Sequence, residues 1–252
     1  MAGIRAVGFD YGGTLVGFRV PAAALRVADA AMVEALRSVD LDPPAGPEPF
    51  ARRLDAAVEE AVGARPPAAE REIDIRAVYD TALTALLSHP VPAATRETLL
   101  RLHQTAWVAG VRVAPGVPAM LAALRALGLR IGLCSNTPYP PELMRAQLRR
   151  LGLIDHFDVL CFSSEVGWRK PHPAIFRELA RGLGVAPAAT LFVGDEARAD
   201  LRGARAAGMR PVLARVVHRA GDPERLASAV VDDWPALVRL AQAGAPEAAG
   251  GR

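Results

Sequence analysis

A regular alternation of apolar and amphipathic stretches, running from about residue 111 to residue 214, most constrains how this chain can fold. The apolar stretches at 129–134, 157–162, 190–193 and 211–214 are short and continuous, and each is followed or preceded by a stretch with helical spacing of apolar residues. Strands that are apolar throughout and alternate with helices indicate a parallel sheet buried on both faces. We therefore predict an α/β fold with a doubly wound, Rossmann-like parallel sheet.

One further apolar strand is predicted at residues 4–9, far upstream of the others. The stretch between residue 18 and residue 110 shows helical periodicity, is divided by proline pairs into four helices, and contains no convincing strand. Ordinary connections within a compact domain are much shorter. We predict a core formed by 1–17 and 111–240, an inserted helical cap at 18–110 that acts as a lid, and a flexible tail at 241–252.

The amino-acid composition indicates which kinds of binding partner are not expected. The 252 residues are 51% hydrophobic and 23% charged, with a net charge of +3 and no run of basic residues among aromatic ones, so we expect no nucleic-acid partner. No apolar run is long enough to span a bilayer and no signal peptide is evident, so we expect no membrane partner. Cys134 and Cys161 fall in predicted buried strands, which favours free thiols and a cytoplasmic location. The oligomeric state is left open.

Polar side chains follow the predicted strands where each of them ends. They are Asp10, Ser135, Asn136, Asp195 and Asp200, with Lys170 in the loop after the strand predicted at 157–162. The carboxyl ends of parallel strands share one crevice, so these groups are expected to meet there. Carboxylates bind a divalent cation, and a hydroxyl and an ammonium neutralise phosphate oxygens, so the set suits phosphoryl transfer of a small phosphorylated substrate.

Two of these residues are unique in the chain. Lys170 is the only lysine among the 30 basic residues, and the other 29 are arginines. An arginine-rich chain that keeps a single lysine is expected to need its compact ammonium at that position. Asn136 is the only asparagine, and its residue type fits either a turn or a direct contact with substrate.

These stretches resemble the four motifs of the haloacid dehalogenase-like (HAD) hydrolase superfamily. The matching stretches are Asp10 to Leu15, Ser135 with Asn136, Lys170 within Lys-Pro-His-Pro, and Gly194-Asp195 with Asp200. Their order and spacing agree over about residues 4–215, and the helical insertion after the first motif is similar to the helical-cap branch. That branch holds phosphatases, phosphomutases and 2-haloacid dehalogenases.

The resemblance implies a role for each residue. Asp10 would be the nucleophile that forms a covalent aspartyl intermediate. Ser135, Asn136 and Lys170 would bind the transferring group, and Asp200 would orient Lys170 or a water on the metal. Asp10, the backbone carbonyl of Gly12 and Asp195 would hold Mg²⁺.

Gly12 departs from the family pattern. The family's phosphatases usually carry a second Asp at this position, which protonates the leaving group and activates water, and its dehalogenases usually carry Tyr. We expect Mg²⁺-dependent hydrolysis of a small phosphomonoester through an aspartyl-phosphate on Asp10. The alternatives are metal-independent hydrolysis of a carbon–halogen or similar bond by Asp10, or a catalytically weakened scaffold that binds a phosphorylated ligand or a protein partner.

Three other polar residues are weaker candidates. Glu196 could reach a water on the metal, but a solvent-facing acid is the expected role. His103 lies one helical turn before Trp107 and could face the crevice or belong to the core of the cap. His172, between two prolines, is expected to have a structural role in its loop.

Overall fold

The computed structural model describes residues 3–44, 46–64, 70–217 and 226–245 of the chain. The strands in this part are β1 (Ala6–Phe9), β2 (Val16–Phe18), β3 (Val111–Val113), β4 (Arg130–Ser135), β5 (Val159–Phe162), β6 (Thr190–Gly194), β7 (Arg210–Ala214) and β8 (Ala229–Val231). The helices are α1 (Ala22–Arg37), α2 (Pro47–Gly63), α3 (Ile75–Leu87), α4 (Ala93–Val108), α5 (Val117–Ala126), α6 (Pro141–Arg150), α7 (Ser163–Val166), α8 (Pro173–Leu183), α9 (Gly203–Ala206) and α10 (Trp234–Gly244).

Six of these strands form one parallel sheet in the order β5-β4-β1-β6-β7-β8. β1 lies between β4 and β6, and all four of its residues are buried, as expected for a strand covered on both faces. The predicted α/β fold with a doubly wound parallel sheet is therefore confirmed. The sheet extends one strand further than the sequence predicts, because the short β8 pairs with β7 beyond residues 211–214.

The chain divides into two compact units. Unit 1 comprises Met1–Phe18, Arg112–Thr137 and Leu148–Arg252, and unit 2 comprises Arg19–Val111 and Pro138–Gln147. Unit 2 thus includes a segment of the chain after β4, in addition to the region where the sequence predicts an insertion. No helix within the described residues is both long enough and apolar enough to cross a membrane.

Unit 1 is built on close packing between the sheet and α8. A side-chain carbon at Gly8 would come within 2.6 Å of Leu179, and one at Gly132 would come equally close to the same leucine. Two neighbouring strands thus use glycine where the helix approaches. Phe176 also packs edge-on against Phe192, with ring centres 4.9 Å apart. These contacts fix the strands whose ends carry the polar residues.

In unit 2, the four helices α1–α4 enclose an apolar core that includes Met32, Leu54, Leu83 and Leu99. These helices occupy the stretches where the sequence shows helical periodicity. Asp74 precedes α3, and its side chain accepts a hydrogen bond from the backbone nitrogen of Arg76 at 2.9 Å, which satisfies a free N–H group at the helix start.

The end of the chain differs from its predicted form. Residues 241–244 belong to α10 rather than to a flexible tail, because Ala241 is fully buried and Gly244 packs closely against Ile4. The Ala/Gly-rich composition fits this contact, since small side chains let the helix approach the first strand. The remainder of the predicted tail, 246–252, lies outside the described residues.

The two cysteines belong to the core of unit 1. Cys134 in β4 and Cys161 in β5 are opposite each other in the sheet register, and both are buried free thiols. Burial raises the pKa of Cys134 well above its usual range and that of Cys161 to about 12. Both therefore stay protonated and act as small apolar residues, as the sequence predicts.

Candidate active site

The candidate site lies at the carboxyl ends of the three central strands of unit 1. Asp10 directly follows β1, Ser135 is the last residue of β4, and Asp195 directly follows β6. The backbone nitrogen of Asp10 donates to the carbonyl of Val193 at 2.9 Å, which extends the pairing of β1 with β6 to the site itself. All three side chains are buried. The parallel register therefore brings together residues that are far apart in the chain.

Lys170 lies between two carboxylates. Its Nζ atom donates to Oδ1 of Asp10 at 2.5 Å and to Oδ1 of Asp200 at 2.7 Å, and the three side chains are almost fully removed from solvent. Burial by itself favours the neutral amine, but the charges of Asp10 and Asp200 outweigh it and raise the pKa of Lys170. The ammonium form is therefore held firmly in place.

For the pKa of Asp200, burial outweighs the effect of the neighbouring ammonium. Burial raises the pKa of this carboxyl to about 7, the Lys170 ammonium counteracts the rise, and the negative charge of Asp10 adds to it. Oδ2 of Asp200 accepts a hydrogen bond from the backbone nitrogen of Glu196 at 3.0 Å. Asp200 itself sits in a π-helical turn, Ala197–Arg202, and such turns often occur at functional sites.

Asp10 keeps one oxygen without a hydrogen-bond partner. Among the buried side-chain oxygens that the structure describes, Oδ2 of Asp10 is one of two that lack any donor. Carboxylate oxygens of Asp10, Asp195 and Asp200 also lie within 4.8 Å of one another. Three carboxylates face a single ammonium here, so the cluster fits a divalent cation, which prefers such oxygen ligands.

The glycine turn after Asp10 and the side chain of Thr14 set the position of Asp195. Thr14 donates from its hydroxyl to Oδ1 of Asp195 at 3.1 Å. Gly13 has a φ of +81°, and a side-chain carbon there would come within 2.5 Å of Oδ2 of Asp195. Only glycine meets both conditions. No local sequence pattern indicates this bond between two residues 181 positions apart.

Asn136 forms a two-point contact with the backbone of Lys170. Its Nδ2 atom donates to the Lys170 carbonyl at 3.0 Å, and its Oδ1 atom accepts from the Lys170 nitrogen at 2.7 Å. Next to it, the hydroxyl of Ser163 accepts from the backbone nitrogen of Thr137 at 2.7 Å and donates to the carbonyl of the same residue at 3.1 Å. Sequence reasoning missed Ser163, because a serine after a strand has no distinguishing pattern.

Gly12 faces an aromatic ring. The segment after Asp10 folds back on itself, with a bridge between Gly12 and Val16, and it brings Phe18 against Gly12. A side-chain carbon at residue 12 would lie 2.8 Å from Cε2 of Phe18 and 3.1 Å from Cζ. Gly12 itself is not among the residues with positive φ, so a larger side chain is compatible with its backbone but would require this exposed ring to shift.

The three weaker candidates, His103, His172 and Glu196, lie in surroundings that indicate no catalytic role. His103 is buried in unit 2, where it is hydrogen-bonded to Tyr79 at 2.8 Å and to Trp107 at 2.9 Å, so it belongs to the core of the helical unit. His172 stacks on Trp168 and its Nδ1 atom accepts from Ala174 at the start of α8, which is the structural role expected from the sequence. The side chain of Glu196 is exposed.

Comparison with known proteins identifies the family. The haloacid dehalogenase-like hydrolase family matches residues 4–208. The chain is 32% identical to a glyceraldehyde 3-phosphate phosphatase of Methanopyrus kandleri over 84% of each chain. It is 42% identical to a phosphoserine phosphatase of Thermus thermophilus over 44% of this chain and 43% of that one, so it spans less than half the length of this relative.

A solved structure has the same fold over nearly the whole chain. The 2-haloacid dehalogenase from Pseudomonas syringae pv. Tomato DC3000 superposes with a TM-score of 0.66 and 26% identity, covering 94% of this chain and 97% of that one. The resemblance seen in the four sequence motifs is thereby confirmed. The protein belongs to the haloacid dehalogenase-like hydrolase family and is a hydrolase.

Proposed function

We propose that the protein hydrolyses small phosphomonoesters by way of a phosphoryl group carried transiently on Asp10, with Mg²⁺ as cofactor. The observation that supports this most directly is the unequal surroundings of the two Asp10 oxygens. Oδ1 is held by Lys170, whereas Oδ2 is buried without a donor. An anionic oxygen that is fixed in place yet not hydrogen-bonded is suited to nucleophilic attack.

The residues around Asp10 would bind the phosphate group and position the residues that bind it. Oδ2 of Asp10 attacks phosphorus while the Lys170 ammonium and the Ser135 hydroxyl face the phosphate oxygens and offset their charge. Asn136 fits a positioning role better than the direct substrate contact considered from the sequence, because both polar atoms of its amide bind the Lys170 backbone. Asp200 holds the ammonium on its other side.

The carboxylate cluster suits Mg²⁺. Asp10, the carbonyl of Gly12 and Asp195 would hold the ion, and the close approach of three acidic side chains suits a hard cation. Bound Mg²⁺ supplies neutralisation of the charge on the phosphate oxygens. The names of the relatives, which are phosphatases of small metabolites, support a phosphate ester as substrate.

Hydrolysis of a carbon–halogen bond is the second candidate. The specific observation in its favour is Gly12, which leaves the site without the second Asp of the phosphatases, together with the structural likeness to a 2-haloacid dehalogenase. The same Asp10 oxygen would attack carbon in this case, and the reaction would not require Mg²⁺. A metal-dependence measurement therefore distinguishes the two candidates.

The test is release of inorganic phosphate from a panel of small phosphomonoesters, with and without Mg²⁺, alongside chloride release from 2-chloropropionate. We expect Mg²⁺-dependent phosphate release that Asp10→Asn abolishes and that Asp155→Asn, a change at an exposed carboxylate, leaves intact. Mass spectrometry of the quenched reaction should place a phosphoryl group on Asp10. Metal-independent chloride release without phosphate release would overturn the proposal in favour of the second candidate.

A further inference from the structure

We propose that Phe18 determines substrate specificity and that the preferred substrates are aryl phosphates. This inference rests on the proposed function and goes beyond it by naming the leaving group. Its basis is the contact between Phe18 and Gly12, at the position where the family's phosphatases carry their second Asp. The ring occupies the volume that a side chain at residue 12 would need.

Phe18 lies in the volume that the side chain of a second Asp would occupy. Cε2 of the ring lies 2.8 Å from where a Cβ atom of residue 12 would be, and Cζ lies 3.1 Å from it. In this protein the edge of the Phe18 ring therefore lies where the side chain of the second Asp would be. The site loses a proton donor for the leaving group and gains an apolar surface in the same volume.

The Phe18 ring is largely exposed to solvent. Phe18 is 59% exposed, whereas Phe9, Phe162, Phe176 and Phe192 are fully buried. Tyr11 lies beside it in an edge-to-face contact, with ring centres 6.5 Å apart and an angle of 75° between the rings. A large exposed apolar side chain is suited to contact another aromatic group.

Leaving groups differ in whether they need a proton from the enzyme. Asp10 attacks phosphorus, the bond from phosphorus to the ester oxygen breaks, and its electron pair departs with that oxygen. An alkoxide must be protonated as it leaves, and general acid assistance is commonly worth about 10²- to 10⁴-fold. An aryloxide is a stable anion and departs without a proton. Its ring can also stack on Phe18.

The reaction is completed by water. A water oxygen attacks the phosphorus of the aspartyl-phosphate, the electron pair of the broken bond returns to the Asp10 carboxylate, and one water proton stays on phosphate while the other goes to solvent. This step is the same for every ester. Differences between substrates therefore report on the first step, where Phe18 and the missing acid act.

The experiment compares three substrates in single-turnover assays with Mg²⁺: phenyl phosphate, acetyl phosphate and glycerol 3-phosphate. Acetyl phosphate has a stable leaving anion but no ring, and glycerol 3-phosphate has neither. For the unmodified protein, transfer from phenyl phosphate should exceed transfer from glycerol 3-phosphate by about 10²-fold or more. Acetyl phosphate should also react quickly but with weaker binding.

Variants of Phe18 and Gly12 then distinguish the effect of the ring from the effect of the missing acid. Phe18→Ala should weaken the apparent affinity for phenyl phosphate about three- to tenfold and leave acetyl phosphate unchanged. Phe18→Tyr, which keeps a ring, should retain the affinity for phenyl phosphate. Val20→Ala, which removes another exposed apolar side chain, should behave like the unmodified protein. Gly12→Asp combined with Phe18→Ala should raise transfer from glycerol 3-phosphate about 10²-fold, and by more than Gly12→Asp alone.

The outcomes distinguish this inference from the proposed function. Equal transfer rates from phenyl phosphate and glycerol 3-phosphate, or an unchanged affinity for phenyl phosphate in Phe18→Ala, would overturn the inference alone. Absence of phosphate release from all three substrates would overturn both. Because Phe18 is exposed, its variants should fold, and a thermal melt equal to that of the unmodified protein checks this.

Discussion

The ammonium of Lys170 lies 2.5 Å from one oxygen of Asp10 and leaves the other oxygen without a donor. This asymmetry separates the two functions of a single carboxylate. One oxygen is tied to a fixed positive charge, which orients the group, and the other is available to attack phosphorus. The single lysine of the chain is therefore found at the point where a compact charge is needed between two acids.

Lys170→Arg should reduce phosphate release as severely as Lys170→Ala, by at least about 10²-fold. The ammonium fits between Asp10 and Asp200 with its side chain 2% exposed, and a planar guanidinium needs more space and a different geometry. Steady-state assays of the two variants, with thermal melts as the folding control, measure this. Retention of most activity by the Arg variant would show that charge alone suffices.

Asn136→Ala should lower kcat about ten- to a hundredfold while changing KM little. The amide holds the Lys170 backbone through two hydrogen bonds, so its loss should displace the ammonium without removing a substrate contact. Measuring kcat and KM separately tests this. A large rise in KM at constant kcat would instead assign Asn136 to substrate binding.

The stability of the protein should fall as the pH rises from about 4 to about 7, through the contribution of Asp200. Burial raises the folded pKa of this carboxyl to about 7. Between its unfolded and folded pKa values the folded protein holds a proton that the unfolded chain has lost, so raising the pH favours unfolding over that window.

Denaturant-induced unfolding at closely spaced pH values measures this dependence. Asp200→Asn should flatten the slope between the two pKa values, because the substituted amide does not titrate. Asp155→Asn, at an exposed acid, should keep the slope of the unmodified protein. Identical slopes in all three proteins would exclude Asp200 as the source.

Asp195→Asn should weaken Mg²⁺ binding by at least about tenfold in calorimetry. Its carboxylate lies in the cluster with Asp10 and loses one negative charge in the variant. Glu196→Gln is the matched control, since this neighbouring side chain is exposed. Equal affinity of Asp195→Asn and the control would remove Asp195 from the site.

The unmodified protein should show a burst with 4-nitrophenyl phosphate that approaches one equivalent of nitrophenol per site. Formation of the aspartyl-phosphate from this ester needs no acid, whereas its hydrolysis lacks the base that an Asp at residue 12 would supply, so the second step should be slow. Stopped-flow absorbance measures the burst. Linear release from the first turnover would indicate that another group activates water.

The sequence alone predicts a parallel sheet and the polar groups that meet at its edge, whereas the order of the strands comes from the structure. Continuous apolar strands alternating with helices leave few arrangements other than a parallel sheet, and the carboxyl ends of parallel strands lie together. Asp10, Ser135 and Asp195 could therefore be assigned to one crevice before any contact was known. Their chemical types then indicated a metal and a phosphate.

The hydrogen bonds between these groups follow from the packing of the folded chain and could not be predicted. The bonds from Thr14 to Asp195 and from Asn136 to Lys170 join residues 181 and 34 positions apart, and no local pattern encodes such pairs. The same holds for the ring of Phe18 against Gly12, which depends on how the turn after Asp10 folds back. Strand and helix periodicity follows from burial of each segment, whereas side-chain contacts depend on the packing of all segments together.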